Sequence, residues 1–241
     1  MHITLTQYLI VAFIVAVGAL CQGTVGFGLN LIAAPIVGLV VPGLLPAAMV
    51  AVGTPLSIAI ATREREHIDW TGVGWTTLGR LPGTALGAYV VYLVSSRVLG
   101  GLVGILVIIA TIIAGRSTHH EIEPTNAIGA GSAAGFMDTV AATGGPPLAL
   151  LYQHRPPAQV RATLATSFAI GTVISLTGLG LGHQIERWQI LVAISMAPSL
   201  VIGLLLSRVL AARVAHLSLR PAILTFAATA GAAALLRAII G

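Results

Sequence analysis

Long apolar runs alternate with short polar punctuation along this chain. Charge and Pro/Gly positions bracket ten of them: 3–22, 29–41, 44–62, 71–94, 98–114, 125–142, 144–152, 158–181, 188–208 and 219–240. None carries the period-2 alternation of a membrane barrel strand. Runs this hydrophobic are predicted to be helices, because a helix satisfies its own backbone where water is missing. Crossing a bilayer takes about 20 mainly apolar residues, and two runs, 29–41 and 144–152, are too short to cross alone. Each follows a helix-breaking stretch, Gly23-Thr24-Val25-Gly26-Phe27-Gly28 in one case and Ala142-Thr143-Gly144-Gly145-Pro146-Pro147 in the other. Glycine and proline there leave amides and carbonyls without helical partners. Such backbone is tolerated at membrane depth only where protein buries it or water reaches it.

Composition fixes the solvent. Of 241 residues, 56% are hydrophobic and 8% charged, with a mean hydropathy of +0.98; a soluble domain carries roughly 25% charge. A sizeable soluble domain is excluded, and the fold class expected is an all-α polytopic membrane protein of about eight to ten helical segments. All twelve basic residues are Arg, set thinly against seven acids, so no nucleic-acid surface is indicated. One cysteine, Cys21, rules out an internal disulfide framework. No Lys or Arg precedes the first apolar run, so residues 3–22 are expected to stay in the mature protein and not to act as a cleaved signal.

The punctuation repeats. Pro35 and Thr54 are echoed by Pro147 and Thr166 at an offset of 112, and Pro82, Gly87 and Arg97 by Pro198, Gly203 and Arg213 at 116. The predicted halves are 1–118 and 119–241, together one transport unit. Counting each short run as a hairpin with its predecessor puts Arg63, Arg65, Arg116, Arg155, Arg161, Arg208, Arg213 and Arg220 on one side and Arg97, Arg187 and Arg237 on the other. That lopsided split satisfies the positive-inside rule. It also gives each half five segments, so the halves are expected to be inverted with both termini outside the cytoplasm. Inverted repeats with paired broken helices mark transporters, and half-helix N-termini suit an anion.

At the broken segments the sequence resembles the TauE/SafE family of sulfite and organosulfur-anion exporters. The second half carries Gly131-Ser132-Ala133-Ala134-Gly135-Phe136, Thr143-Gly144-Gly145-Pro146-Pro147-Leu148, Arg161-Ala162-Thr163 and Ala165-Thr166-Ser167-Phe168-Ala169. The first half echoes it with Gly18, Gly23, Gly26, Gly28, Pro35 and Thr54-Pro55-Leu56-Ser57. The resemblance implies a secondary carrier that moves small anions such as sulfite or sulfonates outward across a bacterial inner membrane.

Candidate residues follow from the chemistry an anion needs. Asp138 is the one acid well inside an apolar run, so it must face protein, pair or titrate; it is the candidate for proton coupling, against a capping or hydrated-loop role. Arg80, within 71–94, offers a fixed positive charge, or snorkels to the interface that Trp75 marks. Arg161 is a candidate at the site or its entrance. Thr54, Ser57, Thr166 and Ser167 are candidate hydroxyl donors, with back-bonding to the preceding turn as the alternative. Gln22 and Asn30 flank the first break and Thr143 begins the second. Gly23, Gly26, Gly28, Gly144 and Gly145 are expected to bind substrate through backbone amides.

Other motifs read as structural. Gly83-x-x-x-Gly87, Gly100-x-x-x-Gly104 and Gly131-x-x-x-Gly135 allow close helix packing. Arg63-Glu64-Arg65-Glu66 is expected to be a solvated loop and Cys21 a small apolar packer. His119-His120-Glu121 lacks the i, i+4 spacing of a zinc helix, so no metal or cofactor is expected. The reading is a carrier whose partners are a small anionic solute and the bilayer, not an enzyme. An anion or small-solute channel of the same architecture is the principal alternative, and an intramembrane enzyme or a scaffold lies further off.

Overall fold

A computed structural model describes residues 3–115, 122–214 and 219–240. The expected boundary between halves at 118/119, with Arg116 and His119-His120-Glu121, lies outside the described residues. Within them every long element is helical: α1 (Leu5–Val25), α2 (Leu29–Val40), α3 (Ala47–Arg63), α4 (Trp70–Leu93), α5 (Ser96–Gly115), α6 (Pro124–Ala141), α7 (Gly145–Tyr152), α8 (Pro157–Leu181), α9 (Arg187–Ser195), α10 (Ala197–Val214) and α11 (Leu219–Ile240). Four spans, Leu5–Val25, Val98–Gly115, Pro157–Leu181 and Arg187–Val209, are long and apolar enough to cross a bilayer. Nine of the ten predicted runs are single helices. The run 188–208 is two, because Pro198 has no amide hydrogen to continue the ladder; the chain turns at Met196, whose amide is shared between Val192 and Ala193 carbonyls.

Polar residues set where helices begin. Thr4 and Gln7 form a reciprocal capping box on α1 (3.3 and 3.0 Å), and Asp69 Oδ1 accepts from Gly72 N (3.0 Å) at the start of α4. Each satisfies amides that precede the first helical bond. Glu186 and Gln189 cap α9 in the same reciprocal way.

Contacts between named residues give every helix a direction. Gln7 Nε2 donates to Val40 O (3.0 Å), while Gly18 packs on the backbone of Leu29. The short helix α2 therefore folds back antiparallel along α1. The pair α6–α7 does the same: α6 runs parallel to α4, and α7 ends with the Tyr152 hydroxyl donating to Asp69 Oδ2 (2.9 Å) at the start of α4. One face of the bundle gathers Gln7, Val40 and Ser195, joined by Tyr8 to Ser195 O (3.1 Å) and by Arg237 to Leu39 O; we call it the terminal face. The opposite, clamp face gathers Glu64, Asp69, Tyr152 and Arg161. Odd helices of the first five run from the terminal to the clamp face, and α6, α8 and α11 run the other way.

The α4–α6 contact is the most extensive. Gly79 lies on Ile128, Gly83 on Ser132 and Gly87 on Phe136, while Gly131 and Gly135 receive the backbones of Thr76 and Arg80. The Ser132 hydroxyl donates to Gly79 O (2.8 Å) across the seam. Without a hydrophobic drive between helices in lipid, such close backbone approach supplies the attraction. Among the other glycine pairs, Gly104 packs on Gly231, while Gly100 faces open space. Leu5, Phe13, Tyr92, Leu191 and Ile240 are exposed, as lipid contact requires.

A Cβ on Gly131 would stand 2.1 Å from Thr76 O, whereas one on Gly129 meets nothing within 4 Å. Gly131→Ala is therefore expected to lower the melting temperature in detergent by roughly 5–10 °C. Gly129→Ala, on the same helix, should leave it unchanged.

Candidate functional site

The two helix breaks meet in the middle of the bundle. α1 ends at Gly26 (φ 97°) and α2 starts after Gly28 (φ 125°), both left-handed conformations that favour glycine. α6 ends at Ala142 (φ 54°) and α7 starts after Gly144. The two C-caps, Gly26 and Ala142, are 116 residues apart, and so are the two N-caps. The breaks thus correspond at 116. Pro35, seventh in α2, and Pro147, third in α7, do not occupy equivalent places.

Between the breaks lies a cavity of about 40 Å³. One water takes about 10–15 Å³ on this measure, so it holds roughly three or four oxygen-sized groups. Eight sequence candidates line it: Gln22, Gly28, Asn30, Ser57, Asp138, Thr143, Gly144 and Gly145. Gln22 Nε2 donates to Ser57 Oγ (3.3 Å), and Asn30 Nδ2 to Met49 O (3.0 Å). Asn30 Oδ1 and Thr143 Oγ1 are buried with no partner. Sequence reasoning missed Phe27, Gly53, Phe168 and Thr172, and the apolar Leu31, Val50, Ala142 and Pro146 complete the lining. Helical spacing would have found some of them: Gly53 and Ser57 share a face of α3, and Phe168, Thr172 and Ser175 share one of α8.

One ion pair dominates the electrostatics. Arg80 Nη1 donates to Asp138 Oδ2 at 2.8 Å, with Arg80 1% and Asp138 7% exposed. Ser175 Oγ donates to the same oxygen at 3.5 Å, and Thr139 Oγ1 to Ser175 Oγ at 3.1 Å. The guanidinium passes between α6 and α8, where only glycine leaves room: a Cβ on Gly171 would stand 1.9 Å from Nη1, and one on Gly135 2.9 Å from Cγ. Arg80 therefore does not snorkel to an interface. It does not line the cavity; Asp138 does, and Arg80 neutralises it from behind. Arg80 Nη2 has no partner.

The remaining candidates lie outside the cavity lining. Gly23 faces α10, where a Cβ would meet Ser207. Gly26 packs on the backbone of Arg161. The Thr166 hydroxyl donates to Ala162 O (2.8 Å), a back-bond within α8. Ser167 is buried beside it, and Thr54 Oγ1 is buried without a partner. Arg161 Nε reaches both carboxylate oxygens of Glu64 at 3.1 Å, and Arg63 reaches Glu64 at 2.6 Å. Glu64, expected in a solvated loop, is instead held between two arginines with its side chain 10% exposed, because the end of α3 packs onto the start of α8.

An all-helical membrane bundle with two broken helices around one small cavity, lined by polar and apolar residues alike, is an architecture that solute carriers use. The family model for the sulfite exporter TauE/SafE matches residues 10–234, and the chain belongs to that family. Its members are transporters, which places this chain among membrane anion exporters. No curated protein and no solved structure matches the chain.

Breaking a buried pair costs about 3–5 kcal/mol because a lone charge stays behind. Arg80→Met should therefore lower thermal stability sharply. Arg80→Met with Asp138→Asn should recover most of the loss, as read from melting curves arranged as a double-mutant cycle.

Proposed function

We propose that this protein is a secondary exporter of small sulfur oxyanions, sulfite foremost, working by alternating access around the cavity between the two breaks. One observation carries the reading: both broken helices open at the same buried, mostly neutral polar cavity, whose size suits a small oxyanion. Amides at a helix N-terminus carry partial positive charge aimed at the ligand. With the Asp138 carboxylate neutralised by Arg80, the Thr143 hydroxyl is free to donate to an anion, and Gln22, Asn30 and Ser57 each keep a further proton to donate. Larger sulfonates require the cavity to widen.

Alternating access is read as rocking of two inverted halves, 1–118 and 119–241. Packing that exchanges between halves supports it. α4 lies parallel to α6 as α1 lies parallel to α10, and α5 with α11 and α3 with α8 pair like with like. Arg63, Arg65, Arg155 and Arg161 stand toward the clamp face, which the positive-inside rule makes cytoplasmic; both termini are then outside. Asp138 is the proposed coupling carboxylate.

Three measurements test this. Purified protein in liposomes should give saturable sulfite efflux with counterflow; unitary conductance steps would overturn the carrier reading. Asp138→Asn strands Arg80 and lowers the melting temperature, but in the protein that stays folded it should abolish flux driven by a pH gradient while counterflow persists; unchanged pH-driven flux overturns the coupling role. In a Cys21→Ala background, Arg65→Cys and Arg155→Cys should label from the cytoplasm and Gln184→Cys from outside; labelling of all three from one side overturns the topology.

A further inference from the structure

The two breaks are alike in geometry and opposite in chemistry. Pairing them cap to cap at 116 residues sets Gln22 opposite Asp138 and Met196 opposite Arg80. Each member of the first pair touches a serine of the third helix in its half: Gln22 with Ser57 (3.3 Å) and Asp138 with Ser175 (3.5 Å). The charged pair bridges the halves, Arg80 from the first and Asp138 from the second, and its counterparts at this offset are a thioether and a neutral amide.

The helix starts differ in the same sense. On α2 the first helical bond is Ile32 N to Gly28 O (3.1 Å), so the amides of Leu29, Asn30 and Leu31 precede any intrahelical acceptor. On α7 the corresponding stretch contains Pro146 and Pro147, which have no amide hydrogen. Behind Gly144 stands the carboxylate itself: a Cβ there would lie 3.2 Å from Asp138 Cγ. Donors and positive dipole collect on one wall of the cavity, and a carboxylate with few donors forms the other.

We propose that the two half-sites divide the work. The oxyanion head docks on the α2 wall, held by the amides of Asn30 and Leu31, with the Gln22 amide and the Ser57 hydroxyl beside them. Thr143, which reaches the cavity from the opposite break, closes the site with its hydroxyl. It is 2% exposed, lines the cavity and has no partner, so it is an unused donor for a ligand. Ser57 accepts from Gln22 and keeps its own proton to donate. Gly144 and Gly145, which line the opposite wall, are then spacers that let α7 approach and not principal anion donors. The inference rests on the exporter reading, because it assigns the anion's place within that same cavity.

The test measures sulfite affinity of the full-length protein in detergent, from concentration-dependent thermal shifts with sodium chloride as control. Gln22→Glu puts a carboxylate on the docking wall and should weaken sulfite at least about 30-fold, since like charges in contact cost several kcal/mol. Thr143→Val should weaken it about 3–10-fold, the loss of one hydrogen bond. Asp138→Asn should leave affinity within about threefold or tighten it. Loss of sulfite binding in a folded Asp138→Asn protein, or unchanged affinity in Gln22→Glu, overturns the assignment. If Gln22→Glu shows no cooperative melting, Asn30→Asp takes its place with the same expectation. Absence of any sulfite shift in the wild-type protein would overturn the exporter reading itself, a distinct result.

Discussion

A guanidinium and a carboxylate 2.8 Å apart in the apolar middle of the bundle govern how the helices around them pack. Neither charge is tolerable there alone, and their attraction offsets desolvation only if the geometry holds. Arg80 reaches Asp138 because Gly135 and Gly171 leave a slot between α6 and α8. The glycine seam between α4 and α6 serves the same end, bringing the two backbones close enough for the arginine to cross. Asp138 sits in the last turn of α6, so the pair also fixes where that helix stops and where the second break begins.

That placement makes the cavity asymmetric. Charge is confined to one wall and, even there, cancelled from behind; the other wall offers amide dipoles and hydroxyls. Among the described residues no arginine lines the cavity. Asp138 stands at the boundary between the cavity and its arginine.

The clamp face is linked mechanically to the first break. Arg161 holds Glu64 with its side chain and carries Gly26 against its backbone. The junction of α3 and α8 is therefore in direct contact with the turn between Gly26 and Gly28 that shapes the cavity. Asp69 reinforces the same face, capping α4 while accepting from Tyr152 and donating its amide to Thr163 Oγ1 (3.0 Å). On the terminal face the corresponding contacts go to backbone carbonyls, at Val40, Leu39, Ser195 and Gly43.

Hydropathy by itself determined that the chain is an all-helical membrane protein, where its helices run and where two of them break. Those properties are local: backbone in lipid must satisfy itself, and glycine and proline stop it from doing so. The residues nearest the breaks, Gln22, Gly28, Asn30, Thr143, Gly144 and Gly145, were legible for the same reason, because a break carries its neighbours with it. Thr54, Thr166 and Ser167 were not, since a residue in mid-helix turns to cavity or neighbour by rotations that no repeat in the sequence reveals. Only the tertiary structure decided that Arg80 is the partner of Asp138, fifty-eight positions away, and that Glu64 belongs to Arg161. Such pairings depend on which helices lie side by side, and close packing of small residues selects those neighbours through contacts the linear order does not contain.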